Sequence, residues 1–461
     1  MFFNSKDRIP GEPIDTRGKI KVILLLAMPA VIENFFQTIL GFVDTLFVSK
    51  ISLDAVSAVG VTNAILAVYI AVFMSLGVAV NVLVAKYIGA GETEKAKHVG
   101  QQGIVLSVIL GVIFGLITLF FASPLLQLLG IEENVLEQGV LYFRIVAIPS
   151  VLISLMFVLS SILRGTGDTK TPMKITIGIN LLNIALDYVL IFGLAFIPAM
   201  GIAGAAIATV IARIVGSAAL FIYISRSKEM NFVKSYWKIN RTHQWDIITL
   251  GTPVGIERLV MRIGQVLYFG FIVILGTNTF AAHQIAGSIE IFSYMIATGF
   301  ATAATILVSQ NLGADNYKEA KEYAKLSTLL GVSLMTIVGV FLFFFGGWVG
   351  SFFTSNETVL GEIQIALQID AFIQPILAVV LILTGVFNGG GNTKFPMYIT
   401  TIGIWGVRTI FVYFLGITLG WGIAGVWIAI GLDNIFRGIF LWIRFKNDHW
   451  VKKDKQDGAT S

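Results

Sequence analysis

Asp44 stands deep in an apolar run, and two amides, Asn34 and Gln37, lead up to it. At 100° per residue these three and Gly41 fall within about 80° of one another on a helix, so they form one narrow polar stripe. Thr176, Asn180, Asn183 and Asp187 step by four, three and four, which keeps them within about 60° on a second helix. Two carboxylates facing each other from such stripes, away from water, disfavour the doubly ionised state, so the pair can take up and release a proton. With the carbonyl oxygen of Asn183 and a hydroxyl such as that of Thr209, the same carboxylates offer a sodium ion the hard oxygen ligands it prefers. The residues alone leave proton and sodium both open. The bland alternative for either stripe is a buried polar staple between helices.

The medium follows from composition. Of 461 residues, 56% are hydrophobic and only 13% charged, with 47 glycines, and the mean hydropathy is +0.84. This is the composition of an all-α, polytopic membrane protein. Apolar runs predict twelve spans near 22–48, 57–86, 98–122, 137–162, 172–193, 201–225, 246–275, 280–310, 323–347, 362–386, 396–417 and 421–445. An aspartate at the centre of such a helix costs about 2.5–3.5 kcal/mol, so Asp44 must face protein or a water cavity rather than lipid. No cleavable signal is expected before the first span, because residues 1–21 are polar and charged. The absence of cysteine excludes thiolate metal sites, disulfides and cysteine catalysis. The net charge of +5 resides in loops and tails, so nucleic acid is not an expected partner. Basic residues collect in the N-terminal tail (Lys6, Arg8, Arg17), in every second connection and in the C-terminal tail (Lys452, Lys453, Lys455). By the positive-inside rule both termini are cytoplasmic, as expected of a multi-pass protein of the cell membrane.

The chain repeats itself. Gly165-Thr166-Gly167-Asp168-Thr169-Lys170 returns as Gly389-Gly390-Gly391-Asn392-Thr393-Lys394 at an offset of 224. The same offset pairs Pro29 with Pro253, Glu33 with Glu257 and Ala58 with Ala282; after a three-residue slip, Gly201-Ile202-Ala203-Gly204 matches Gly422-Ile423-Ala424-Gly425. Two like-oriented six-span halves imply a pseudo-two-fold axis along the membrane normal, an arrangement of transporters. The expected division is an N-terminal half over 1–225, a basic linker over 226–245, a C-terminal half over 246–445 and a tail over 446–461. The polar stripes do not repeat: Asp44 maps onto Tyr268 and Asp187 onto Phe411. A pure packing role would have appeared in both halves, which favours a functional one.

Pro29 with Asp44 fifteen residues on, the loop Leu163-Arg164-Gly165-Thr166-Gly167-Asp168 and the segment Ala281-Ala282-His283-Gln284 carry a resemblance. From about residue 20 to 445 the chain resembles the multidrug and toxic compound extrusion (MATE) transporters, in particular the archaeal members of the DinF-type branch. The resemblance implies a V-shaped, two-lobe transporter. It also implies coupling to H+ or Na+ at Asp44, Asn183 and Asp187, with Thr209 as a further oxygen ligand after the slip. The acidic pair that the NorM-type branch carries in its C-terminal half is expected to be absent, those positions falling near Met261 and Leu377.

The function expected is a secondary active exporter of amphipathic, often cationic, organic compounds, working by alternating access with H+ or Na+ as coupling ion and no other cofactor. Gln37, Asn34, Asn180 and Met173 are the candidate substrate contacts, suited to adaptable apolar binding. Pro29 removes a backbone hydrogen bond and offers span one a bending point, with a static kink as the alternative. The protein is expected to act as a monomer. A flippase for a lipid-linked pyrophosphate is the competing reading, kept open by Arg258, Arg262 and Arg408. An enzyme is not expected, for no metalloprotease motif or nucleophile-base arrangement is present, and the glycine loops lack the spacing of a nucleotide-binding loop. Asp433 and Arg437 are expected to pair within one helix, Arg258 and Arg262 to pair with Glu257 or a neighbouring helix, Asp370 to be interfacial and His283 to be packed.

Overall fold

A computed structural model describes residues 15–451 apart from 131 and 195–196. Lys6, Arg8, Lys452, Lys453 and Lys455 of the basic tails, and so most of the tail at 446–461, lie outside the described residues. The chain folds into α1 (Thr16–Ser49), α2 (Leu53–Gly89), α3 (Thr93–Leu128), α4 (Glu133–Ala147), α5 (Ser150–Gly165), α6 (Lys170–Phe192), α7 (Gly201–Arg226), α8 (Arg241–Ile274), α9 (Thr277–Gly313), α10 (Tyr317–Gly350), α11 (Glu357–Gly389), α12 (Lys394–Thr418) and α13 (Gly422–Lys446). Ten of these are long and apolar enough to cross a bilayer, and α4 with α5, bent by 44°, makes an eleventh if the pair is counted as one span. The sequence reading has that span unbroken. Pro149, which has no N–H to continue the ladder, stands at the break. The remaining predicted span, α8, has 34 residues, enough for a crossing, but Glu257, Arg258 and Arg262 make its centre more polar than the others.

Packing divides the helices into two compact units. One holds Ile32–Gly255 and the other the described parts of Arg8–Val31 and Ile256–Ser461. The division therefore runs inside two helices rather than through the linker. The first turns of α1 belong with α9–α13, and α8 up to Gly255 belongs with α2–α7. Each helix changes unit within a turn of its proline, Pro29 or Pro253. The linker belongs wholly to the first unit, tied to α3 by two glutamines. Gln101 accepts from Val233 N at 2.8 Å and donates to Val233 O at 3.0 Å. Gln102 donates to Tyr236 O and Lys238 O, both at 2.7 Å, and accepts from Asn240 N at 2.9 Å. Both side chains are buried, so the backbone of the linker is satisfied by protein rather than by water.

The repeat is visible in how helices touch. Gly204 on α7 meets the backbone of Leu190 on α6, and its counterpart Gly425 on α13 meets the backbone of Leu415 on α12. A Cβ at either position would collide with main chain, so close approach requires glycine there. α12 departs from its counterpart α6 by two π-helical stretches, Ile402–Arg408 and Val412–Thr418. Within them Thr409 Oγ1 donates to Ile404 O, five residues back.

The two units also clasp their helix starts differently. In the second unit Lys19 on α1 pairs with Glu319 at 2.9 Å and Glu322 at 2.6 Å on α10. An offset of 224 carries these three onto His243, Lys95 and His98 of the first unit. There the His243 ring lies edge-on to His98 at 4.5 Å, and His98 stacks on Tyr236 at 4.4 Å. His243 precedes the apolar part of α8, which begins near 246. Burial pushes its imidazole below the ordinary value, the charges of His98 and Lys95 add to that, and Asp246 opposes it. A base held low in the folded protein contributes its full stability above the unfolded histidine pKa of about 6.5 and loses it as pH falls below that. Protection factors for amide hydrogen exchange across 241–255 are therefore expected to fall on going from pH 7 to pH 5, while those across 16–31 are not. Equal changes in both segments would refute this.

Candidate functional site

In the first unit, α1 and α6 bring the carboxyl groups of Asp44 and Asp187 within hydrogen-bond reach of each other. Asp187 is 1% exposed and Asn183, one turn before it, 2%, while Asp44 is half-buried. Among the described residues no donor reaches either oxygen of Asp187 or Oδ1 of Asp44, and the amide nitrogens of Asn180 and Asn183 have no acceptor. Ionised carboxylates only accept hydrogen bonds, so contact between them requires a proton or another cation to lie between them. The oxygens of both aspartates and the carbonyl of Asn183 suit a monovalent cation as well as a proton. Thr209 donates its hydroxyl to Ala205 O in its own helix at 3.0 Å, which leaves only its lone pairs for a ligand.

The remaining stripe residues separate. Thr176 is drawn off to Glu33 Oε1 at 3.2 Å, which Arg164 also reaches at 2.6 Å. The second unit repeats that contact: Thr400, the counterpart of Thr176, donates to Glu257 at 2.8 Å. Thr176 and Glu33 thus belong to the common scaffold, and Asp44, Asn183 and Asp187 to the specialised set. Of the other candidates, Asn180 is buried beside that set, Asn34 and Met173 are half-buried and Gln37 is exposed. Asn34 and Gln37 share the face of Asp44 but stand about 15 and 10 Å before it along α1.

Two residues of the site escaped the sequence reading. Tyr142 on α4, 8% exposed, lies in electrostatic range of both aspartates, and Arg213 on α7 in range of Asp44 and Tyr142. Arg213 Nη1 donates to Val146 O at 3.2 Å. A signal existed: Arg213 follows Thr209 by one helical turn and is a charge within an apolar run.

The second unit carries its own buried polar groups, and two expectations fail there. Asp370 is not interfacial: it is fully buried in α11, where Gln374 donates to it. It interacts electrostatically with Glu290 on α9. Glu290 is itself half-buried, and neither residue stands at Met261 or Leu377. Asp433 and Arg437 pair within α13 as expected, at 3.0 Å, and Arg408 completes a triad at 2.6 Å. Glu257 bonds Thr400 rather than an arginine, Arg258 Nε has no acceptor, and Arg262 donates to Gln265. His283 is packed among Tyr268, Phe269 and Trp427.

The MatE family model matches residues 29–189 and 253–414. The chain belongs to the MatE family. It is 31% identical over 453 residues to a probable multidrug resistance protein NorM of Thermotoga maritima, covering 97% of this chain and 96% of that one. A multidrug resistance MATE family transporter solved in an outward-facing conformation superposes with a TM-score of 0.87 at 25% identity, covering 94% of this chain and 97% of the other. A MATE protein in a bent conformation gives 0.87 at 25% identity over 96% and 98%. The two matched segments of the family model correspond to the two repeats, and the MatE protein described here is a multi-pass membrane transporter, not an enzyme.

Proposed function

We propose that this MatE protein is a secondary active exporter of amphipathic, often cationic, organic compounds, driven by inward movement of H+ or Na+ and held with both termini in the cytoplasm. The observation that carries the proposal is the Asp44–Asp187 contact in the low-dielectric interior of one unit. Such a pair cannot stay doubly ionised at contact, so its occupancy by a cation and its geometry are coupled. Loading the pair from outside changes the bonding between α1 and α6. That change biases α1, whose ladder Pro29 interrupts where the helix passes from one unit to the other. The relatives named for multidrug resistance support the substrate class, and MATE proteins solved in straight and bent conformations support a change of conformation.

A lipid-pyrophosphate flippase needs free basic groups for its anionic head. Of the three arginines that keep that reading open, Arg408 is instead occupied by Asp433, which leaves it only Arg258 and Arg262. The decisive experiment reconstitutes the protein in liposomes and compares a cationic dye with a lipid-linked pyrophosphate under imposed pH or sodium gradients. Gradient-dependent movement of the dye is expected. Movement of the lipid alone would overturn the proposal.

A further inference from the structure

We propose that Arg213 is the built-in counter-charge of the Asp44–Asp187 pair, standing in for one cation so that a single H+ or Na+ brings the site to neutrality. The inference rests on the coupling role proposed for the pair. Three features of the structure carry it.

The first is position. The guanidinium lies in electrostatic range of Asp44 and Tyr142, yet its hydrogen bond goes to Val146 O, one turn beyond Tyr142 on α4. That carbonyl belongs to the last turn of α4, where the break at Pro149 ends the helical ladder and carbonyls need outside donors. The arginine is thus anchored beside the carboxyl pair instead of being consumed by it, so its charge acts on the pair while both carboxyl groups remain open to a cation.

The second is charge. Empty, the two carboxylates carry two negative charges and Arg213 one positive, leaving one to be met; one monovalent cation meets it. Without Arg213, neutrality would take two. A charge left unbalanced inside a membrane protein is costly, so the neutral load is the one the site holds. Among the described residues, the charged and titratable groups facing the pair are Tyr142 from α4 and Arg213 from α7.

The third is the repeat. After the slip, Arg213 corresponds to Asn434, Tyr142 to Ala366, Asp44 to Tyr268 and Asp187 to Phe411. The scaffold contact of Glu33 with Thr176 survives in both units, whereas these four differ together. Arg213 therefore sorts with the functional set, not with the packing.

The test uses two variants with opposite content. Arg213→Gln keeps an N–H donor for Val146 O and removes the charge; Arg213→Lys keeps the charge. In proteoliposomes, dye exchange is measured against the concentration of whichever cation drives it. Wild type and Arg213→Lys are expected to saturate with a Hill slope near one. Arg213→Gln is expected to need at least about tenfold less cation for half-saturation, because a competing positive charge has gone, and its slope to rise towards two. The double variant Arg213→Gln with Asp187→Asn, balanced again by one cation, is expected to return to a slope near one. If Arg213→Gln behaves as wild type, the arginine only caps α4 and the proposal fails. It also fails if Gln and Lys act alike. Should Arg213→Gln alone not fold, recovery of folded protein in the double variant supports the assignment, and failure of both overturns it. Asp44→Asn is assayed in parallel: if that variant stays coupled, the fault lies with the coupling reading itself, not with Arg213.

Discussion

Asp44→Asn is expected to leave the protein folded and to abolish export driven by a cation gradient. The side chain is half-buried and no donor among the described residues reaches its Oδ1, so an isosteric amide breaks little. An amide neither releases a proton nor holds a cation by charge, so the loss falls on coupling. Each charge moving down 100 mV supplies about 2.3 kcal/mol. Losing one coupled charge at that potential therefore lowers the substrate gradient the protein can sustain by about 50-fold, at 1.4 kcal/mol per factor of ten. Asp187→Asn alone is expected to do the same, since Asp44 is then already balanced by Arg213 and calls for no further cation. The measurement is the steady-state accumulation of a fluorescent cation in inverted vesicles, beside thermal unfolding of the purified variants. Wild-type accumulation in either variant would refute the mechanism, whatever the unfolding shows.

Asp433→Ala is expected to have the largest effect on stability. Asp433 is 0% exposed and balances two arginines: Arg408 at 2.6 Å and Arg437 at 3.0 Å. Its removal strands both inside α12 and α13. Breaking a buried pair by removing one partner costs about 3–5 kcal/mol, because a buried charge is left without compensation. Against a total stability of about 5–15 kcal/mol that is enough to lower the folded yield severely. Gly403→Ala should act on the same carboxylate, because its added Cβ would collide with Asp433 Oδ1 in the π-helical stretch of α12. Folded yield and unfolding temperature in detergent check both variants. A wild-type profile for Asp433→Ala would show that the triad is not what balances these charges. Such an effect would be structural, with coupling intact in whatever protein remains folded, which separates it from the effect of Asp44→Asn.

Helical phase is a local property, and it made much of the site legible. The spacing of Asn180, Asn183 and Asp187 put them on one face, and the 224 offset marked Asp44 and Asp187 as departures from the repeat. It also placed Pro29 and Pro253 in equivalent positions, and hydropathy alone identified the medium and most of the spans. Thr176 shows where phase stops being informative. It shares the stripe of Asp187, yet its hydroxyl meets Glu33, because α1 offers a different partner at each height. Asp370 shows the same for burial: its place near the start of an apolar run suggested an interface, whereas the packing around α11 leaves it 0% exposed. Arg213 was readable as an expensive charge but not as a neighbour of Asp44, which α4 and α7 arrange together.

By itself, then, the sequence determined a duplicated, all-helical membrane chain with its carboxylates concentrated in one repeat, because composition, period and internal offset are written residue by residue. The tertiary structure decided that Asp44 and Asp187 touch, that Arg213 is anchored next to them by the broken end of α4, and that α1 and α8 change unit beside their prolines. These depend on which faces pack together and at what depth, and no local pattern encodes that.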